Sequence, residues 1–410
     1  MNCNKVASAL RAIGNAITEQ RMSLIRPFVE KPLPLVACLA LTTLTHAQTD
    51  GTAFNDEAAA ADQGDSKVRA PERDHSVYAM PADLGDGLQI ASLESSSADF
   101  VKLMDMARRT AAGEWKKIDS ILIAHGGKLL FEDYYHGGHI DEPHTLMSIT
   151  KSVTACLAGY AFDAGLIEDL NDPLIKYFPW IRAEDVDPAV ATIKVHDVLS
   201  SRSGLVKDGR AEKPKISGKG LQAEVSSLLL HASGDGVGTR FQYGNVNTQM
   251  LGMLICAVTG KSLTDYADET LFKDLGIEKY KWQKRGGSKV HSVGAGLDLR
   301  SRDMMKIGLM VAQGGTFNGQ RILSEDYVKA MTGVYHYSKH MGGYGYLWWS
   351  TGVEEYAKDP YVISGRGAKG QFIFIRPDLD LVAVFTSNNR KAGRKAPFDI
   401  FADIIAPAFM

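Results

Sequence analysis

The spacing of apolar positions divides the chain into two kinds of territory. Helical periodicity through Phe100, Leu103, Met104 and Met106 predicts a helix over Ala98 to Gly113, and two strand-like runs follow, Ser120 to Ala124 and Lys128 to Tyr135. His125-Gly126-Gly127 between them supplies turn chemistry, so the pair reads as an antiparallel hairpin, which argues against a parallel doubly wound sheet. Val153, Leu157 and Ala161 recur at intervals of four and predict a helix that Gly165 ends. The breakers Asn171-Asp172-Pro173 and Tyr177-Phe178-Pro179 come next, then a short helix over Val195 to Ser200 that closes in Ser203-Gly204-Leu205. Strand signals return late, at Tyr344 to Ser350, Tyr361 to Ser364, Gln371 to Arg376 and Leu381 to Ser387, with Pro377 to Asp380 as a turn and Pro397 to Met410 as a terminal helix. Strands at both ends with helices between them predict an α+β fold. Its antiparallel sheet is built from both chain ends and flanked by helices, with a mostly helical subdomain inserted at roughly 167–285.

The first 90 residues follow neither pattern. Arg26 and Lys31 precede an apolar run of 13 residues from Pro32 to Leu44, then Thr45-His46-Ala47. Residues 1–47 therefore read as a secretory signal peptide, and the run is too short for a stable membrane span, which needs about 20 residues. Leu35 to Cys38 also reads as a lipoprotein cleavage box, and translation from Met22 is a second possible start. Residues 48–90, rich in Ala, Asp, Gly and Ser, read as a flexible acidic linker that gains order near Tyr78, leaving 91–410 as the folded domain. The expected location is periplasmic or secreted.

Composition changes the picture little. Of 410 residues 45% are hydrophobic and 23% charged, ordinary for a globular protein. A net charge of -2, with only short interrupted basic clusters such as Lys213 to Lys219, argues against a nucleic-acid partner. Cys156 and Cys256 lie in apolar helical runs and read as small buried hydrophobes, with a bridge between two packed helices left open after export.

Candidate chemistry sits at three places. Ser148 and Lys151 stand three apart at the start of the helix carrying Val153, so they share one face and the amine reaches the hydroxyl. A serine in the first turn also keeps its own N–H unpaired within the helix, a donor for an oxyanion. The bland alternative is a capping serine and a solvated lysine. Tyr243-Gly244-Asn245 precedes a helix running to Gly260; a phenol near a cation serves as base and acid, and the Asn245 amide both donates and accepts. Gly365-Arg366-Gly367 marks a glycine-rich strand whose backbone can approach an extended acyl or peptide-like ligand. A phosphate loop fails because position 255 is Ile, and no Gly-x-Ser-x-Gly elbow exists. His136, His139 and His144 with Asp133 fit no tight ligand pattern, so neither metal nor cofactor is expected.

In this order, Ser148-Ile149-Thr150-Lys151, Tyr243-Gly244-Asn245 and the late glycine-rich strand resemble the motifs of the serine β-lactamase and penicillin-binding-protein superfamily. Leu130 to Tyr135, Ile193 to Leu205, Gly294 to Gly315 and Gly343 to Trp349 resemble the class C β-lactamase-related hydrolases, particularly the esterase and 6-aminohexanoate-dimer hydrolase branch, from near Ile90 to the C-terminus. The resemblance implies a β-lactamase-like fold, with Ser148 as acylated nucleophile, Lys151 as its proton partner and Tyr243 as the proton shuttle. It implies that Asn245 orients Lys151 and substrate, and that the Ser148 N–H and one N–H from Gly365 to Gly367 hold the oxyanion. One departure bears on substrate. Where β-lactamases carry Lys-Thr-Gly, this chain has Ile363-Ser364-Gly365, leaving Arg366 or Lys369 as substitute cations. The expectation is an acyl-enzyme hydrolase of small amides or esters. The alternatives are a β-lactamase or D-Ala-D-Ala carboxypeptidase-like enzyme, or a sensor that acylates without turnover.

Overall fold

The structure is a computed structural model that describes residues 73–206, 220–284, 290–352, 361–388 and 395–410. The expected leader, most of the linker and the basic cluster at 213–219 lie outside those residues.

Helix α1 (Phe100–Ala111) starts where Asp99 accepts a hydrogen bond from the Lys102 N–H, and its apolar face, including Leu103 and Met106, is buried. Strands β1 (Ile118–His125) and β2 (Lys128–Tyr134) form the expected hairpin, with Ile121 opposite Asp133 and Ile123 opposite Phe131. A short strand β3 (His144–Thr145) leads into helix α2 (Ile149–Asp163). The inserted region then carries helix α3 (Val195–Leu199), helix α4 (Asn245–Thr259) and strand β4 (Tyr280–Trp282). Strand β5 (Leu297–Leu299) pairs with both β3 and β4, and helix α5 (Ser301–Ala312) follows. The late strands are β6 (His336–Ser338), β7 (Gly342–Tyr344), β8 (Trp349–Thr351), β9 (Val362–Gly367), β10 (Gln371–Arg376) and β11 (Leu381–Ser387), before helix α6 (Lys395–Ile400).

The main sheet has eight strands in the order β6-β7-β8-β9-β10-β11-β1-β2, every described pairing antiparallel, so the two ends of the chain meet at β11 and β1. Alternation along the strands sorts side chains between two cores. Leu122, Ile373, Ile375, Val382 and Val384 join the core of α2, α4 and α5, whereas Ile121, Ile123, Phe372, Phe374 and Phe385 face α1 and the C-terminal helices.

Two expectations change. The run from Tyr344 to Ser350 is two strands, because the Gly345 N–H donates to the Trp348 carbonyl (2.9 Å) and Leu347 takes φ 60°, reversing the chain inside an apolar stretch. Near Tyr78 the chain is ordered, as expected. The Tyr78 hydroxyl donates to Leu130 O (2.9 Å) and accepts from the Leu93 N–H (2.8 Å), while the Leu129 N–H donates to Gln89 O, so this segment covers the edge of β2. The second change is that α2 is buried nearly all round, from Ile149 to Gly159, where a one-sided apolar stripe was expected. Cys156 and Cys256 are unbridged and buried, and burial pushes their thiols up to about 12 and about 11.

Candidate active site

The chain enters the site from β3. The Leu146 N–H donates to Leu297 O (2.9 Å), and Thr150 Oγ1 both donates to Met147 O (2.7 Å) and accepts from the Leu297 N–H (3.2 Å). These bonds close a tight turn in which Met147 adopts φ 48°, the left-handed region that a side chain disfavours. Ser148 follows as the residue that precedes the first turn of α2, with φ -70° and ψ -5°. Its side chain makes no capping bond, so the capping alternative does not describe it.

Lys151 is not solvated. It is 1% exposed, and its Nζ donates to Ser148 Oγ at 3.1 Å and to Gly294 O at 2.6 Å, while lying 5.2 Å from the centre of the Tyr243 ring. The amine is thus aimed at the hydroxyl by a backbone carbonyl on one side and an aromatic face on the other. Ser148 itself is 3% exposed. A hydroxyl and an amine therefore meet at one buried point with a tyrosine ring beside the amine, groups able to pass a proton away from an attacking oxygen.

Tyr243 and Asn245 arrive together at the start of α4, where Gly244 is extended. Tyr243 is half-buried and Asn245 exposed. The Asn245 side chain packs on Gly294: a Cβ added to that glycine would meet Asn245 Oδ1 at 2.4 Å. Asn245 is thereby tied to the carbonyl that holds Lys151. Gly294 was missed as a site residue from sequence. The faint signal was the close Gly294-Ala295-Gly296 spacing, which fits a place where backbone approaches another group.

The end of β9 completes the enclosure. A Cβ on Gly367 would meet Leu146 O at 2.3 Å, so only glycine lets this strand end lie against the turn that presents Ser148. Gly365 faces Ile149, Ser152 and Trp348 at ordinary contact distance, and Ser152 Oγ donates to Leu347 O (2.7 Å), fixing α2 against the sheet. Strand alternation turns Ser364 and Arg366 the other way. Arg366, expected to bind substrate, is 9% exposed; its Nε donates to Ser364 Oγ (2.8 Å) and its Nη1 to Met341 O (2.9 Å). The guanidinium lies over the rings of Trp349 (5.2 Å) and Phe398 (5.1 Å). This placement replaces the expected substrate contact with a packed one, because the strand register puts Arg366 on the face opposite the two glycines.

An aromatic wall stands beside Tyr243. Its ring is 5.3 Å from Trp349 and 5.9 Å from Tyr344, and Phe241 stacks on His336 at 4.1 Å. Burial, and then the neighbouring Tyr243, hold the Tyr344 phenol well above its ordinary value, so it stays neutral. The cleft that contains His136, His139, His144, Asp119 and Glu142, about 420 Å³, contains none of the expected site residues. Asp133 instead pairs with His75 (2.8 Å) and Arg73 (3.3 Å), and among the described residues no group of three or more His, Cys, Asp or Glu side chains could hold a metal ion.

Comparison with known proteins matches this geometry to a family. The Beta-lactamase family model matches residues 106–406. The 6-aminohexanoate-dimer hydrolase of Paenarthrobacter ureafaciens is 27% identical over 289 residues, covering 66% of this chain and 72% of that protein. Among solved structures, a penicillin-binding protein homologue from Caulobacter crescentus superposes with a TM-score of 0.60 at 14% identity, covering 76% of this chain and 97% of that one. EstCE1, a hydrolase with promiscuous acyltransferase activity, superposes with a TM-score of 0.59 at 16% identity, covering 76% and 99%. No helix among the described residues is long and apolar enough to cross a membrane. With three quarters of its length matched and a β-lactamase-like α+β fold around Ser148, the chain belongs to the Beta-lactamase family and is a serine hydrolase.

Proposed function

We propose that this hydrolase works through an acyl-enzyme on Ser148 and cleaves small amides or esters that carry no carboxylate beside the scissile bond. The observation that carries this reading is the Lys151 amine, buried, 3.1 Å from Ser148 Oγ and held from behind by Gly294 O. Ser148 Oγ attacks the acyl carbon while its proton passes to the Lys151–Tyr243 pair. The oxyanion is stabilised by the Ser148 N–H and an N–H at the end of β9, near Gly365 to Gly367. The pair then returns the proton to the leaving amine or alcohol as its bond breaks, leaving an ester on Ser148. A water attacks that ester, gives its proton to the same pair, and the acid departs as Ser148 regains its hydrogen. Lys151 and Tyr243 act as one coupled unit in both halves of the cycle.

The substrate limit rests on charge. Ile363 stands at the position of the carboxylate-binding lysine and is buried in the core, and the Arg366 guanidinium is packed between two rings. A penicillin or a D-Ala-D-Ala terminus would therefore meet no ready cation from these two residues. The relative from Paenarthrobacter, a 6-aminohexanoate-dimer hydrolase by name, supports amides as the class to try first. The apolar run at 32–44 and the small residues after it support export to the periplasm or beyond.

Steady-state hydrolysis of a short-chain p-nitrophenyl ester and a panel of linear amides, by the full chain and by Ser148→Ala, tests the reading. Turnover lost in the variant upholds it. Equal rates in both proteins would remove Ser148 from the mechanism, and a stoichiometric adduct with no turnover would make the protein an acylated sensor.

A further inference from the structure

Three elements and the segment before α4 bring four groups into succession: Lys151 Nζ is 5.2 Å from the Tyr243 ring, Tyr243 is 5.3 Å from Trp349, and Trp349 is 5.2 Å from the Arg366 guanidinium carbon. The arrangement is cation, ring, ring, cation. We propose that Arg366 is a positioning residue for Tyr243, acting through Trp349, and does not contact substrate. The inference rests on the acyl-enzyme reading above.

The physical case has two parts. A cation over an aromatic face is attracted by the ring quadrupole, so Arg366 fixes the plane of Trp349. The guanidinium also lies 5.1 Å from the Phe398 ring, while Ser364 Oγ and Met341 O hold it in the strand, so the cation is kept against the indole. Trp349, 5% exposed and lying 41° from the plane of Tyr243, then limits how far the phenol can swing from Lys151. A phenol kept beside the Lys151 cation also ionises more readily, so a ring that swings away needs a higher pH to act as base. Among the described residues, Lys151 faces Tyr243 from α2, and Tyr344 faces it from β7 and stays neutral well above the ordinary phenol range; His336 stacks on Phe241, one ring further out. Arg366 is the fixed charge of the row, since a guanidinium keeps its proton throughout the working range.

A role confined to joining β9 to the β6–β7 turn would affect stability alone. The two roles separate in the pH dependence of kcat, measured on the same ester for the wild-type chain, Arg366→Gln, Arg366→Lys and Trp349→Leu, with thermal unfolding of each. The expected result for Arg366→Gln is a kcat about tenfold lower, a KM within about twofold, and an acid limb moved up by about one pH unit. Arg366→Lys restores most of that limb, and Trp349→Leu displaces it as the glutamine does with Arg366 still present. An unmoved acid limb in Arg366→Gln, or a raised KM at unchanged kcat, overturns the proposal; the second result would return Arg366 to substrate binding. If Arg366→Gln fails to fold, an unmoved limb in Trp349→Leu overturns it equally. Activity surviving in Ser148→Ala would instead sink the acyl-enzyme reading, which none of the Arg366 or Trp349 outcomes touches.

Discussion

Among the described residues, two lysines are withdrawn almost wholly from water, and they are held in opposite ways. Lys306, on α5, is 0% exposed and stands 3.4 Å from Asp303, itself fully buried, with Gly276 O accepting at 3.0 Å. Arg300 grips the same carboxylate with two bonds, at 2.8 and 3.0 Å. Around Lys151 the geometry supplies a serine hydroxyl, a backbone carbonyl and the face of a tyrosine. A cation matched by a buried carboxylate is locked in its charged form, since losing the proton would strand the opposite charge in a dry interior. An amine among neutral acceptors can give up a proton and take it back. Burial alone therefore does not distinguish a structural lysine from a reactive one; the charge of its partners does.

The sharpest way to break that contrast is a pair of matched substitutions. Lys151→Met is expected to lower kcat/KM by about a thousandfold or more while leaving unfolding nearly unchanged, because the Ser148 hydroxyl, the Gly294 carbonyl and the Tyr243 ring beside the amine are neutral. Lys306→Met is expected to do the reverse: a loss of about 3 kcal/mol in denaturant unfolding, at the lower end for a broken buried pair because Arg300 remains on Asp303, with normal turnover in the folded fraction. Similar stability losses in both variants would dissolve the distinction.

The next largest effect separates two glycines two residues apart. Gly367→Ala forces a methyl to within 2.3 Å of Leu146 O, so the turn before Ser148 must shift, and kcat is expected to fall about a hundredfold. Gly365→Ala meets Ile149, Trp348 and Ser152 only at 3.5 to 3.6 Å and is expected to change kcat by less than about threefold. Progress curves on one ester decide the matter, and equal losses in the two variants would show that the turn tolerates movement.

The smallest effect concerns pH and lies away from Ser148. Burial, and then the Arg202 charge, hold His196 below its ordinary value of 6.5; burial lowers His291 and His336 as well. His196 is bonded at both nitrogens, to Tyr346 and Arg202, each at 2.7 Å. The folded state therefore binds fewer protons than the unfolded chain between the lowered values and 6.5, so these residues' contribution to stability is present above that pH and is lost as pH falls below it. Thermal unfolding from pH 7.5 to 5 is expected to show a progressive drop that Arg202→Gln reduces. A flat profile would mean that the three histidines keep solution-like behaviour.

How far the sequence alone reached differs between parts of the site. Ser148 and Lys151 were legible because covalent spacing along a helix brings residues three apart onto one face whatever surrounds them. Tyr243 and Asn245 were legible by order and pattern, and the structure brings both to Lys151, Asn245 by way of Gly294. Arg366 was misplaced, since a glycine-rich run leaves its strand register uncertain by one residue and one residue is the difference between the two faces. The apolar run at 344–350 hid a reversal for a related reason: burial on both sides erases the alternation that marks strand ends.

The sequence by itself determined the α+β class, the antiparallel sheet joining both chain ends, and the serine–lysine pair, all of which follow from periodicity and short-range spacing. Only the tertiary structure decided that Gly294, 143 residues from Lys151, would hold the amine, that Met147 would take a left-handed turn, and that Arg366 would stack on Trp349. Those features depend on where separate elements pack against one another. Local pattern fixes which side of an element is apolar, but the partner it meets is chosen by the packing of the whole chain.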